Sequence, residues 1–562
     1  MELGRAVSFC FSLAGDKRKI EPMRALCILL SASVLLPAQT TAPSHCVVSS
    51  NGAPSLPAKL LSGQGRSPFP ITTRSTEAQK FFEQGVAQMH SFWAREAERS
   101  FLQAAALDPE APMPWWGVAM VAAGDYRPHF QLVRDKGAAP KGMTPPLQRA
   151  VDAAQKAQAL ARNGSARERA YIEAIAARRR FPLDDAAADA GYLGGLRAVL
   201  AQYPDEVEAA TYLALHLMDG FLTPSRQPRP GSLEAVRILK DLAARVPDHP
   251  GVHHYVIHGW EGSSFAKEAW NSCERYAALV PEIPHALHMP GHIYSQTGKL
   301  AEAAASFVAA GNLERSYMKA DPGYGNLHHG HNIHYLAVVQ AAAGNYDDAI
   351  RSARELLTFT ESAAEAKQLD NSRTAYRQGW FALVRTLVWA ERWDAILDPA
   401  TVPLIAKPRE QAWMHWARGL AYAAKGEVDK ARLEAKGMRT ALLDFEARNK
   451  AKRPRELGLA EQELHGHITI ASGRAGRGLK ILAEVSTGER ALRYNEPPFY
   501  PRPVALAWAT AAAKAGQPKQ AEQAYRIALE EFPAMDRAVR GLQQVLTQDA
   551  MPNPKRASGG LE

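Results

Sequence analysis

The sequence predicts an all-α protein built from repeated pairs of antiparallel helices, and three observations support this prediction. Residues with high helix propensity, such as Ala, Leu, Glu, Arg and Lys, are abundant. Small and bulky residues recur together at helical spacing along most of the chain. Two histidine pairs, His254/His258 and His288/His292, are offset by 34 residues, the length of a common two-helix repeat.

The N-terminus carries the pattern of an export signal. Basic residues precede an apolar run at 25–36, and the small residue Ala38 follows. The run is shorter than the roughly 18 apolar residues that a membrane span needs. We therefore expect residues 1–38 to be a leader that directs export to the periplasm or the exterior, with Met23 as an alternative start. A buried first helix is the other interpretation.

The segment after the leader, residues 39–75, is rich in Pro, Ser, Thr and Gly and shows no helical period. This composition predicts a flexible tether. A weak capping box, Thr76 with Gln79, predicts the start of ordered chain. The ordered body then divides around the histidine-rich region, and a disordered tail follows, giving the segments 76–249, 250–363, 364–548 and 549–562.

The repeat is clearest in residues 78–111. A small residue at one helix crossing lets the partner helix approach, a large one fills the next gap, and a proline ends the second helix. In this unit the small residues are Gly85, Ala97 and Ala104, the large ones are Phe81 and Phe101, and the proline is Pro109. The pattern resembles the tetratricopeptide repeat (TPR) family. The resemblance covers most of residues 76–546 and implies a right-handed superhelical solenoid, here a bacterial exported TPR protein with a histidine-rich groove.

In the TPR family, positions 2, 5, 9 and 12 of the first helix line the concave groove. Eleven of the 18 histidines fall between His249 and His334. Seven of these match groove positions in three repeats, and one glutamate does as well. They are His254, His258, His285, His288, His292, His331, His334 and Glu261. A cluster of imidazoles without a ligand would be costly in a concave site.

We interpret the seven histidines as ligands of one or two transition-metal ions. Imidazole-rich sets favour copper or zinc, with iron or nickel as further options. Two ions with about three histidines each would resemble the ligand sets of type-3 dicopper proteins, although the folds differ. A single zinc with an open position would instead favour hydrolysis. Glu261 is a candidate ligand or general base beside a metal-bound water.

Charge and composition limit the other function classes. The net charge is +9, but basic residues are not interleaved with aromatic platforms, so nucleic-acid binding is not expected. The excess of positive charge suits an anionic small molecule or a peptide in the groove. No segment of the body is apolar for long enough to span a membrane. Two alternatives to a metal-dependent oxidase or hydrolase therefore stay open: a TPR interaction scaffold without metal, and a metal-free enzyme that uses histidine acid–base chemistry.

Three insertions interrupt the repeat period, at residues 220–232, 318–329 and 494–501. Insertions in a solenoid tend to gather on one face, often the binding face. The aromatic and proline content of 494–501 predicts an ordered plug rather than a loose linker.

Overall fold

A computed structural model of the protein describes residues 57–136, 142–180, 185–321 and 323–550. The predicted leader, residues 1–38, lies outside these ranges. Over the described ranges the chain forms one α-helix after another, and most helices pack on the next one along the chain. The predicted all-α helical-repeat fold is therefore confirmed.

The helices are described in three groups along the chain. The first contains α1 (Thr76–His90), α2 (Ala94–Leu107), α3 (Met113–Val121), α4 (His129–Lys136), α5 (Pro145–Leu160), α6 (Ala166–Arg178), α7 (Asp185–Gln202), α8 (Val207–Leu217) and α9 (Pro230–Arg245). The second contains α10 (Pro250–Trp260), α11 (Trp270–Leu279), α12 (Pro284–Gln296), α13 (Leu300–Ala320), α14 (Leu327–Ala342) and α15 (Tyr346–Leu356).

The third group contains α16 (Ala363–Lys367), α17 (Ala375–Trp389), α18 (Trp393–Leu397), α19 (Pro408–Ala424), α20 (Val428–Asn449), α21 (Arg455–Ala471), α22 (Ala475–Arg490), α23 (Val504–Lys514), α24 (Pro518–Glu531) and α25 (Asp536–Ala550). The last helix thus runs two residues into the segment expected to be a disordered tail, and residues 551–562 lie outside the described ranges.

Local sequence signals set the ends of the helices that later form the site. Helices α10 and α12 each begin with a proline, whose missing N–H would have had no partner in the first turn. Gly298 and Gly344 adopt φ of +84° and +82° in the turns that lead from α12 to α13 and from α14 to α15. A side chain is strained at such angles, so glycine makes these tight turns available.

Residues 57–75, the described part of the predicted tether, pack against the helices. The prediction of a flexible segment is therefore wrong for this part of the chain. Phe69 is fully buried, and its ring centroid lies 5.2 Å from that of Tyr171 and 5.7 Å from that of Trp116. The Thr72 hydroxyl donates to Glu168 over 2.6 Å. Composition could not predict this packing, because the segment is held by the single aromatic residue Phe69 and by the buried Glu168 carboxylate, without any helical period.

Close packing of the first two repeats depends on small residues, as the TPR resemblance implied. A Cβ added at Gly85 would lie 2.6 Å from the Phe101 ring, and one added at Gly117 would lie 2.5 Å from it. The ring is itself fully buried. The two glycines therefore leave the space that Phe101 fills between α1, α2 and α3.

The repeats curl until distant parts of the chain meet. Helix α1 packs against α10, and the Trp93 indole N–H donates to the Tyr324 hydroxyl over 3.2 Å. The Tyr494 hydroxyl accepts from Gln296 on α12 over 2.5 Å. This closure encloses the faces of α10, α12 and α14 that carry the histidines. No helix in the described ranges has the length and apolar character needed to traverse a bilayer.

We predict that Gly117→Ala lowers the free energy of unfolding by about 1–3 kcal/mol, because the new methyl group overlaps the buried Phe101 ring. Gly194→Ala in α7 is the matched control, since a Cβ there meets no atom within 4 Å. It should raise stability by about 0.5–1 kcal/mol through helix propensity. Denaturant titrations check both values, and equal stability of the two variants would contradict this packing account.

A second prediction concerns acid stability. Burial, with the nearby Arg178 charge, lowers the pKa of His216 from 6.5 to about 4, against its contact with Asp189 at 3.3 Å. The unfolded chain takes up this proton near pH 6.5 and the folded chain does not, so stability is lost as pH falls from 6.5 towards 4.

Replacing His216 by Gln removes this titration. The drop in unfolding free energy between pH 7 and pH 4 should become smaller by on the order of 3 kcal/mol. The wild-type protein, measured over the same pH range, is the reference. Melting curves across this pH range decide the point; an unchanged pH slope in the His216 variant would disprove the assignment.

Candidate metal centre

Helices α10, α12 and α14 bring six of the seven predicted histidines together in the interior. None of the six is more than 4% exposed. They form two groups, which we call the first triad and the second triad. The first triad is His254, His258 and His285, and the second is His288, His292 and His331. Within each triad, one ring nitrogen from every member lies within 4.8 Å of the others.

The distances inside the triads are those of side chains that face each other directly. In the first triad, Nε2 of His254 lies 3.2 Å from Nε2 of His285. In the second, Nε2 of His288 lies 2.6 Å from Nε2 of His292 and 3.1 Å from Nε2 of His331. The triads are neighbours, since the ring centroids of His285 and His288 are 5.9 Å apart.

Acceptors behind the first triad fix which ring nitrogen carries the proton. Nδ1–H of His254 donates to the backbone carbonyl of His90 over 2.5 Å. Nδ1–H of His258 donates to the Glu261 carboxylate over 2.7 Å. Each ring therefore has a lone pair on Nε2. That of His258 is buried and has no hydrogen-bond partner among the described residues.

Two successive hydrogen bonds fix the tautomer of His285, the third member of the first triad. The Glu314 carboxylate accepts from Nδ1–H of His328 over 2.6 Å, which leaves a lone pair on His328 Nε2. That lone pair accepts from Nδ1–H of His285 over 3.2 Å. His285 is thus left with its lone pair on Nε2, directed at the first triad. Such outer carboxylate–histidine contacts are characteristic of metal ligands.

Two members of the second triad also have an acceptor behind the ring. Nδ1–H of His288 donates to Oδ1 of Asn332 over 2.7 Å. The Asn332 amide is oriented by its own donation to the Phe307 carbonyl over 2.8 Å. Nδ1–H of His292 donates to Glu261 over 2.7 Å. The Nε2 atoms of His288 and His292 therefore face each other across 2.6 Å.

Protonation does not resolve the convergence of lone pairs between His254 and His285. Burial, and then repulsion from the neighbouring imidazoles, lowers the pKa of His254, His285 and His288 well below 6.5. These rings are neutral at pH 7. Facing lone pairs repel each other, and a buried cation between them removes the repulsion. The donor sets therefore fit a metal ion in each triad.

Glu261 connects the two triads, because one carboxylate oxygen accepts from His258 and the other from His292. Its burial disfavours the charged form. Hydrogen bonding with Glu496 and His258, together with the attraction of His258 and His292, nevertheless holds the pKa of Glu261 well below its usual range. The side chain is only 4% exposed. Glu261 is thus a buried carboxylate that orients one ligand of each triad.

His334 is not part of either triad, unlike the other six predicted ligands. Its Nε2 accepts from Arg385 over 3.0 Å, and its Nδ1–H donates to Gln378 over 3.1 Å. Burial, with the Arg385 charge, lowers its pKa to about 3. Both ring nitrogens are therefore used within the fold. Arg385 on α17 therefore contacts Nε2 of His334, where the sequence predicted a metal ion.

The segment 494–501 covers the second triad, in agreement with its prediction as an ordered plug. Arg385 donates to the backbone carbonyls of Pro498, Tyr500 and Pro501 over 3.0, 2.5 and 3.0 Å. Glu496 contacts Nδ1 of His292 and accepts from Gln296 over 2.9 Å. Glu496 therefore places a second carboxylate beside the second triad, in addition to that of Glu261.

Sequence analysis did not identify several residues that surround the two triads. Asn332 lies directly beside His331 in the sequence, and Glu314 has no sequence signal of its own. Glu496 is separated from the histidines by more than 160 residues, so only the fold shows its role. Phe92, at a φ of +52°, stacks on His258 with ring centroids 5.2 Å apart.

A third group, His90, Glu208 and His249, resembles a metal site in residue type alone. Glu208 accepts from Nε2–H of both histidines, over 2.7 and 3.0 Å. Nδ1 of His90 bonds the Tyr255 hydroxyl over 3.0 Å, and Nδ1 of His249 accepts from the Val252 backbone N–H over 3.2 Å. Every ring nitrogen has a partner, so this group is a structural hydrogen-bond network.

The sequence matches no protein-family model, and no curated protein matches it. Several solved structures resemble this chain, with low sequence identity and low TM-scores. The P58(IPK) TPR domain is 12% identical over 85% of this chain and 100% of that one, with a TM-score of 0.22. Yeast Tom70 is 11% identical over 86% and 92%, with a TM-score of 0.27. Human IFIT1, solved as a dimer with m7Gppp-AAAA, is 13% identical over 73% and 82%, with a TM-score of 0.32. The fold assignment therefore depends on the helix pairs themselves.

We predict that Arg385→Met loosens the plug. The change leaves three plug carbonyls without their donor, which should destabilise the protein by about 2–5 kcal/mol. Amide hydrogen exchange at Asn495, Glu496 and Tyr500 should accelerate at least tenfold. Arg490→Met removes a half-exposed arginine that pairs with Glu530 and should leave exchange in the plug unchanged. Equal exchange in both variants would disprove the anchoring role.

Proposed function

We propose that this protein binds transition-metal ions through its two histidine triads and uses them in redox or hydrolytic chemistry. One observation carries the proposal: buried imidazoles bring their Nε2 atoms within 2.6–3.2 Å of each other, and His254 and His285 do so with both Nδ1–H groups already donated elsewhere. Side chains of this kind are held apart in a stable core unless a cation lies between them.

Ligand chemistry favours copper or zinc, with iron or nickel as further options, because imidazole nitrogen suits these ions and few carboxylates are present. Three protein ligands per ion leave at least one coordination position for water or substrate. An open position favours catalysis over storage. With both Glu261 oxygens accepting from ligand histidines, its geometry favours a positioning role over the general base suggested by the sequence.

We place an anionic small molecule beside the second triad. A cavity of about 450 Å³ lies between the plug and α12, and Ser295 and Tyr335 form part of its wall. The Tyr335 ring centroid is 5.1 Å from that of His292. Three glutamates line this cavity, and they are outnumbered by five arginines, namely Arg226, Arg385, Arg490, Arg493 and Arg502. The excess of arginine suits a carboxylate or phosphate ligand.

The scaffold alternative and the cellular location are also proposals. Helical repeats of this kind can present surfaces to protein partners, although the buried triads are closed to a peptide. We propose export to the periplasm or exterior on the basis of the N-terminal pattern alone.

The test is elemental analysis of the protein without a histidine tag, purified without added metal and again after incubation with copper or zinc. We predict about two equivalents of bound metal for the wild type, one per triad. His288→Gln with His292→Gln should remove about one equivalent, because the second triad loses two of three ligands.

His253→Gln is the matched control. His253 is adjacent to a proposed ligand and equally buried, but both its nitrogens bond within the fold, to Ser272 and to the Pro247 carbonyl. Its metal content should equal that of the wild type. Metal content unaffected by the double substitution, or none in the wild type after incubation, would refute the proposal and make capture of protein partners the next experiment.

A further inference from the structure

A second, smaller cavity lies beside the first triad. Its volume is about 160 Å³, and His285 forms part of its wall. The remaining lining is largely apolar, with Phe92, Trp93, Pro284 and Tyr324 around it. The aromatic walls are held in place, since Trp93 donates to Tyr324 over 3.2 Å and packs edge-on against Tyr317 with centroids 4.9 Å apart. The space is therefore shaped by fixed side chains.

The Glu314 carboxylate is a buried polar group of this cavity with one unpartnered oxygen atom. Glu314 lines the space and is only 1% exposed. Its Oε1 accepts from His328, while its Oε2 is buried and has no hydrogen-bond partner among the described residues. A buried carboxylate oxygen without a donor is costly, so this atom requires a ligand that brings an O–H or N–H group.

Size and chemistry together define that ligand. Apolar cavities of about 150 Å³ are known to take up benzene. Aromatic walls favour an aromatic ring by edge and face contacts. The unpartnered Glu314 oxygen accepts a hydrogen bond and repels an anion. Arg95 and Glu96 also line the cavity, so its acidic and basic groups are two carboxylates and one guanidinium.

We propose that this cavity binds a small aromatic molecule bearing a hydroxyl or amino group, of which phenol is the simplest example. Glu314 accepts the donor group, and the ring packs among Phe92, Trp93 and Tyr324. Its role as the substrate site of the first triad rests on the proposed function. The connection is the hydrogen-bonded chain Glu314–His328–His285, which joins the ligand's polar group to one member of that triad.

The experiment is calorimetric titration of chelator-treated, metal-free protein with phenol, toluene and benzoate. Phenol should bind at one site. Benzoate should bind at least tenfold more weakly, because its carboxylate meets that of Glu314. Glu314→Gln should weaken phenol binding roughly tenfold or more and change toluene binding less than about threefold, since only phenol uses the carboxylate. No phenol binding to the wild type, or unchanged phenol affinity in Glu314→Gln, would overturn the proposal.

Two further variants separate ligand binding from damage to the fold. Glu355→Gln is the matched control, because Glu355 accepts from His329 over 3.0 Å in the next repeat without lining the cavity. It should leave phenol affinity unchanged. Ala94→Leu fills the cavity from the start of α2 and should abolish binding of both phenol and toluene while the melting temperature is retained. Phenol binding that survives Ala94→Leu would also overturn the proposal.

These measurements use protein without metal, so their outcome is independent of the metal analysis. Metal bound without phenol binding would refute the cavity assignment alone. Phenol binding without metal would support the cavity and refute its link to a metal centre.

Discussion

The convergence of imidazole lone pairs in a closed interior is the constraint around which the rest of this structure is arranged. Nε2 atoms of His254 and His285, from neighbouring repeats, lie 3.2 Å apart with no proton to share, and those of His288 and His292, both on α12, lie 2.6 Å apart. Each acceptor behind the rings strengthens this constraint, because a ring whose Nδ1–H is donated outwards directs its lone pair inwards. A metal ion in each triad would turn a repulsive arrangement into a bonded one.

Glu261 makes the two triads a single unit. Its carboxylate reaches His258 on α10 and His292 on α12, and Glu496 meets the same group from the plug. A change at one triad is therefore transmitted to the orientation of a ligand in the other. The structure also separates access to the two centres, since the small aromatic cavity adjoins the first triad and the arginine-lined cavity lies near the second.

Closure of the repeats gives these groups their chemical character. An open concave groove would leave the histidines hydrated, with pKa values near 6.5, and free to contact a peptide. Here α1, residues 57–75 and the plug at 494–501 return to the central repeats and bury them. Burial keeps His254, His285 and His288 neutral, and neutral imidazole is the form that binds metal.

The sequence alone determined which histidines share the interior. A period of 34 residues places the histidines of α10, α12 and α14 on one face of stacked helix pairs, so the clustering of six of the seven predicted residues follows from spacing, but their division into two triads does not. The same reasoning failed for His334, because the repeat pattern cannot show that Arg385 from a later helix occupies its Nε2.

Only the tertiary structure decided which nitrogen of each ring faces inwards, since that depends on acceptors such as the His90 carbonyl and Asn332. It also decided that Glu496 joins the shell and that Phe69 anchors the segment expected to be flexible. These contacts link residues far apart in the chain, and repeat periodicity describes neighbours only.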